Sequence, residues 1–102
     1  MGERLEVLKP DGSLVKGRKP ALDEEFTLEA LKLMLLSRAF DERATAMQRQ
    51  GRWGVYSPSL GQEAAVVGSC LALDPKRDWL VPQYRELAAY IHHGMPLDRL
   101  AA

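Results

Sequence analysis

The chain has 102 residues, 46% of them hydrophobic, and its 14 basic and 14 acidic side chains cancel to a formal net charge of zero. That length allows one domain or a part of one, and the apolar content excludes a disordered chain. The charge balance removes any global electrostatic case for binding nucleic acid or acidic lipid, and no apolar run approaches the about 20 residues that span a bilayer.

A domain this short buries only about two-thirds of its unfolded surface, so it gains from packing on something larger. Cys70 is the single cysteine, which excludes an intrachain disulfide and a cysteine-based metal site. In an apolar helical setting it reads as a small core residue. The N-terminus, MGERLEVLKPDG, lacks the apolar stretch of a secretion signal. It also lacks the Arg/Ser-rich, acid-poor character of a transit peptide, so a cytoplasmic, reducing compartment is the expectation.

Residues 1–25 read as an arm. Pro10, Asp11 and Gly12 carry turn chemistry between Leu5, Val7, Leu8 and Leu14, Val15. A small hairpin over 5–15 is expected, lying on a larger body because two short strands are barely stable alone. Residues 26–102 then read as a helical region.

The first helix is expected over residues 28–50, with Thr27 as N-cap, a staple between Phe26 and Leu31, and Gly51 just past its end. Leu28, Leu31, Leu35, Leu36, Ala39, Phe40 and Met47 make a broad apolar stripe, with Leu33 and Met34 on a second face. Its second half, RAFDERATAMQRQ, reads as solvated on its charged face. Residues 51–58, GRWGVYSP, break the helix and carry apolar weight. Such a loop either lines a pocket or is anchored by its tryptophan.

A second helix is expected over 60–73, with Ser59 and Gln62 in capping-box spacing. Gly61, Ala65 and Ser69 form one small-residue row, and Ala64, Gly68 and Ala72 the next. Small residues at this spacing point to a tightly clasped internal helix or one that meets a partner subunit. Asp74 and Pro75 end it, and Trp79, Leu80 and Val81 are extended. A third helix is expected from Tyr84 to His92, ending at Gly94, and Pro96 suits the first turn of a fourth. Helices average about 11 to 12 residues. A fourth helix that stops at Ala102 therefore reads as truncated at the C-terminus.

Tyr84 and Arg85 fall at the start of that third helix, where backbone N–H groups lack acceptors and the dipole is positive. A guanidinium there can hold an anion such as a phosphate. The plain alternative is a surface ion pair for Arg85 and core packing for Tyr84. His92 and His93 are adjacent, not at the i,i+4 spacing of a helical metal pair, so no metal site is assigned. No catalytic triad, phosphate-binding glycine loop or carboxylate pair stands out.

Taken in order, these segments resemble the N-terminal part of the alpha subunit of the thiamine-diphosphate-dependent component of 2-oxoacid dehydrogenase complexes, most like bacterial pyruvate-type enzymes. Arg38, Asp41, the QGR at 50–52, the GQEA at 61–64 and the YRE at 84–86 carry the resemblance in register. It implies a mainly α chain (arm, three helices and the start of a fourth) that is a piece of an α/β thiamine-diphosphate-binding fold. It implies that Tyr84 and Arg85 contact the cofactor's diphosphate, with Gln83 beside them. Val55, Tyr56 and Ser57 would form the substrate-side wall. Relatives often carry an aromatic in place of Val55 and some a histidine in place of Ser57, which leaves pyruvate and branched-chain substrates open.

The resemblance further implies a beta subunit in an alpha2-beta2 assembly, a lipoyl-bearing acyltransferase as acceptor, and a 2-oxoacid substrate. No catalytic residue falls in this chain, because the carboxylate that activates the cofactor comes from the beta subunit. The family's Gly-Asp-Gly and Asn magnesium motif is expected downstream of Ala102. The isolated chain is thus expected to be inactive and to bind cofactor weakly. The competing reading is a non-enzymatic helical module for protein–protein contact.

Overall fold

The computed structural model describes Gly2 and residues 4–101. Four helices follow one another: α1 (Glu24–Arg49), α2 (Glu63–Cys70), α3 (Leu87–His92) and α4 (Leu97–Leu100). The expected mainly helical chain is borne out. Among the described residues the one β feature is an antiparallel bridge between Leu8 and Leu14. The Pro-Asp-Gly turn closes it. Gly12 takes φ +81°, and the Asp11 carboxylate accepts from the Ser13 N–H at 2.9 Å.

Helix α1 begins earlier than the sequence reading placed it. Asp23, not Thr27, is the N-cap, and its carboxylate accepts from the Phe26 N–H at 2.7 Å. Glu24 and Glu25 then occupy the first turn, where the dipole favours them. Phe26 is therefore inside the helix and cannot act as the outer half of a staple. A charged acceptor outcompetes the Thr27 hydroxyl, which instead donates to the Asp23 carbonyl at 2.8 Å. The other end is as expected. Gly51 takes φ +69°, its N–H reaches the Gln48 carbonyl, and the Arg52 N–H reaches that of Met47. This is a Schellman motif, and Gly94 (φ +88°) closes α3 the same way through Ile91 and Tyr90.

The buried face of α1 is not the leucine stripe. Ser37, Asp41 and Ala44 are its buried residues, at helical spacing. Leu28, Leu31, Leu35 and Leu36 remain exposed. The core is a small junction of α1, α2 and α3 built from Ala44, Val67, Cys70, Leu87, Ala88 and Ala89. Side chains of that size let the helices approach closely but cover little area. The radius of gyration, 15.9 Å, exceeds the about 13 Å of a compact domain of this length.

Helix α2 is shorter than expected, and its capping box does not form. Gln62 is the N-cap without a side-chain bond. The Ser59 hydroxyl is instead drawn to the Asp41 carboxylate at 2.8 Å. The small-residue rows face outward, and a Cβ added at Gly68 would meet nothing within 4 Å. No internal clasp is made through them among the described residues. Gly61, at φ +86°, is required by the backbone at the entrance to α2. Cys70 is buried as expected, and burial pushes its thiol pKa up.

Helix α3 starts at Leu87, so Tyr84 and Arg85 sit in a turn before it and not in its first turn. The Glu86 carboxylate accepts the Gln83 N–H, and the Tyr90 hydroxyl reaches the Pro82 carbonyl at 3.3 Å. Glu86 itself is non-helical, at φ −97° and ψ 47°, so the α-helical run begins only after it. Pro96 likewise precedes α4 as its N-cap. His92 and His93 meet edge to face with ring centroids 5.5 Å apart. Both ring nitrogens of His93 are buried without a hydrogen-bond partner among the described residues.

Asp23→Ala removes the side-chain cap of the longest helix. It is expected to lower unfolding stability by about 1 kcal/mol, read as a reduced urea midpoint with an unchanged slope.

Candidate functional site

The loop between α1 and α2 folds back onto α1 because of one carboxylate. Asp41 is 2% exposed and accepts three hydrogen bonds from that loop. The Tyr56 hydroxyl donates to one oxygen. The Ser59 N–H and hydroxyl donate to the other at 2.9 and 2.8 Å. Ser37 adds a hydroxyl contact to Ser59 at 3.3 Å. Burial raises the Tyr56 pKa above its ordinary 10, and the Asp41 carboxylate on its hydroxyl raises it further. The loop's aromatics close over α1, with Phe40 5.9 Å from Trp53 and Trp53 5.7 Å from Tyr56 between ring centroids. Of the two readings of this loop, the anchored one describes Trp53.

A second carboxylate ties α2 to the same helix. Glu63 takes the Arg38 guanidinium at 2.5 Å on one oxygen and the Gly61 N–H at 3.0 Å on the other. The hydrogen bond from Arg38 is the main reason that its carboxyl is held down at about 2, from an ordinary 4.5. The second half of α1 is therefore not merely a solvated charged face, since Arg38 and Asp41 both point into structure.

The residues named for the cofactor lie just beyond. The Arg85 Nη1 donates to the Pro58 carbonyl at 2.7 Å. Its guanidinium carbon stands 5.5 Å over the Tyr84 ring, and Tyr84 is 73% exposed. Gln83 is exposed too. That one bond from Arg85 joins the 83–85 corner to the 55–58 loop, so the two groups singled out from the sequence are neighbours. They do not form one cavity. Val55 is 96% exposed, Ser57 is half-buried, and the Tyr56 hydroxyl is committed to Asp41. A groove of about 470 Å³ runs beside the corner between α2 and residues 80–83, reaching Cys70, Gln83 and Glu86.

Chemically, the corner can hold an anion by side chains. A guanidinium has five N–H donors, and the Pro58 carbonyl occupies one. The helix-start N–H cradle expected from the sequence is not available, because the Gln83 N–H is taken by Glu86 and α3 begins further on. Among the described residues, no group of three or more His, Cys, Asp and Glu side chains is placed to hold a metal ion. No helix among them is long and apolar enough to cross a membrane.

Sequence reasoning did not assign Asp41, Pro58 or Glu63 a structural role, and it gave Ser59 a helix cap in place of its bond to Asp41. A single acid on a charged helix face carries no local sign of burial. The available signal was that Asp41 and the GQEA segment recur in register with the motifs of one family.

Residues 31–102 match the profile described as dehydrogenase E1 component. With more than half of its length matched, the chain belongs to that family. It is similar to the pyruvate dehydrogenase E1 component subunit alpha of Staphylococcus aureus, with 38% identity over 96 residues. The protein of the same description from Staphylococcus epidermidis shows the same identity and extent. In both cases the match covers 93% of this chain and 26% of the relative. The chain therefore spans about a quarter of the length of these relatives. No solved structure matches it.

The Glu63 pKa sets a pH window. Because the folded value lies below the unfolded one, the stabilisation is complete above about pH 4.5 and is lost as pH falls toward 2. The urea midpoint should drop through this range, and Glu63→Gln should flatten that part of the profile while lowering stability at neutral pH.

Proposed function

We propose that this chain is part of a thiamine-diphosphate-dependent 2-oxoacid dehydrogenase, with pyruvate as the substrate, and that its 83–85 corner binds the cofactor's diphosphate. The observation that carries this reading is Arg85, a half-buried guanidinium anchored at Pro58 and stacked by Tyr84, in a chain of the E1 family. The pyruvate assignment is supported by the two staphylococcal relatives, both pyruvate dehydrogenase E1 component alpha subunits.

Thiamine diphosphate supplies the carbanion chemistry that decarboxylates a 2-oxoacid; the protein supplies binding, orientation and electrostatics. Arg85 would neutralise phosphate charge through its free N–H groups, and the exposed Tyr84 hydroxyl and Gln83 amide would add hydrogen bonds. Glu86 is a like charge to the diphosphate and favours its placement on the Arg85 side of the corner. Val55 and Ser57 would face the substrate side, while Tyr56 keeps that loop on α1. Magnesium ligands would come from outside these residues. The uncovered leucines of α1, the exposed Trp79 and Val81 and the small-residue face of α2 support work within a larger assembly. In that assembly a beta subunit contributes the activating carboxylate and a lipoyl-bearing acyltransferase takes the acyl group.

In the full-length assembled enzyme, Arg85→Ala should weaken thiamine diphosphate binding by a factor on the order of 10 to 100, the worth of a charge-assisted contact. Unchanged affinity by calorimetry would favour the interaction-module reading. The isolated chain, titrated with thiamine diphosphate and magnesium, should bind no more tightly than millimolar, and micromolar affinity would refute the need for outside ligands. Turnover on pyruvate should exceed that on branched-chain 2-oxoacids, and the reverse order would reassign the substrate.

A further inference from the structure

Asp41 lies two contacts away from Arg85 and does not touch it. Among the described residues its carboxylate has no arginine or lysine partner; Arg38, three residues earlier on α1, pairs with Glu63 instead. Among the described residues Asp41 is satisfied only by donors of the loop, from Tyr56 on one oxygen and from Ser59 on the other. Pro58 stands between those two residues, and its carbonyl is the acceptor for Arg85 Nη1 at 2.7 Å. If Tyr56 and Ser59 moved away, a 2%-exposed carboxylate would be stranded without partners, which is costly in a low-dielectric setting. The segment from Tyr56 to Ser59 is thus pinned on both sides of the oxygen that holds the guanidinium. An arginine stem is otherwise free to sample many rotamers, and ordering it on binding costs affinity.

We infer that Asp41 is a positioning residue for cofactor binding: acting from α1 through the Tyr56–Ser59 segment, it fixes the Pro58 carbonyl and so preorganises Arg85. This inference rests on the reading of Arg85 as a diphosphate ligand. It assigns Asp41 no contact with the cofactor. Tyr56 becomes a strut of the same device, which accounts for a hydroxyl that faces inward while the neighbouring Val55 faces out.

The test is a double-mutant cycle on thiamine diphosphate affinity, measured by calorimetry in the full-length assembled enzyme with saturating magnesium. Asp41→Asn keeps the side-chain shape but turns one acceptor into a donor facing donors. It should weaken binding by about tenfold, and by much less in an Arg85→Ala background, because the two residues act in series. Additive losses would overturn the inference, as would an Asp41→Asn enzyme of unchanged affinity beside an Arg85→Ala enzyme that binds poorly. The latter result leaves the diphosphate role of Arg85 standing. Loss of no affinity in Arg85→Ala itself overturns that role and this inference together. Should Asp41→Asn fail to assemble, Tyr56→Phe removes one donor while keeping the ring against Phe40 and Trp53. It should show a smaller weakening that again vanishes with Arg85→Ala, and persistence of the weakening in that background overturns the inference.

Discussion

A buried carboxylate organises this chain. Asp41 sits on the inner face of α1 with almost no solvent contact, and its charge is tolerable only because three hydrogen-bond donors converge on it. All three come from the loop after α1. A segment with two glycines and two large aromatics would otherwise have many conformations available. Here the demand of one acidic group for partners selects a single one, and the ring contacts among Phe40, Trp53 and Tyr56 then fill the space alongside. The Arg38–Glu63 pair applies the same logic one turn away and sets where α2 begins.

The arrangement inverts the usual distribution of side chains. Acidic and hydroxyl groups occupy the inner face of α1, while Leu28, Leu31, Leu35 and Leu36 stay open to the surroundings. Buried polar groups of this kind contribute modestly to stability and strongly to uniqueness of geometry. A loop that must present the Pro58 carbonyl to Arg85 at one position benefits from geometry more than from hydrophobic burial. The small alanine, valine and cysteine core brings α1, α2 and α3 close enough for these polar contacts to be made.

How far the sequence could be read differs by residue type. Gly51 and Gly94 were correctly placed as helix ends, because positive φ has few solutions other than glycine. The Pro-Asp-Gly turn was legible for the same reason. Helix starts were less so. Asp23 and Thr27 are both acceptable caps, and the stronger acceptor took the position one turn earlier. At α3 the expected start at Tyr84 gave way to one at Leu87, with Glu86 non-helical and the Arg85 side chain drawn to the Pro58 carbonyl. The leucine stripe misidentified the inner face, since periodicity reports amphipathic character without saying what covers each side.

By itself the sequence determined a helical chain with a hairpin arm, glycine-terminated helices, a buried thiol and membership of a dehydrogenase E1 family, because each rests on local backbone chemistry or on motifs in register. Tertiary structure alone decided which carboxylates are buried, which face of α1 looks inward and that the 55–58 loop meets the 83–85 corner. Those outcomes depend on hydrogen bonds between residues 15 to 27 positions apart, and no local pattern encodes which of several acceptable donors will reach a given acceptor.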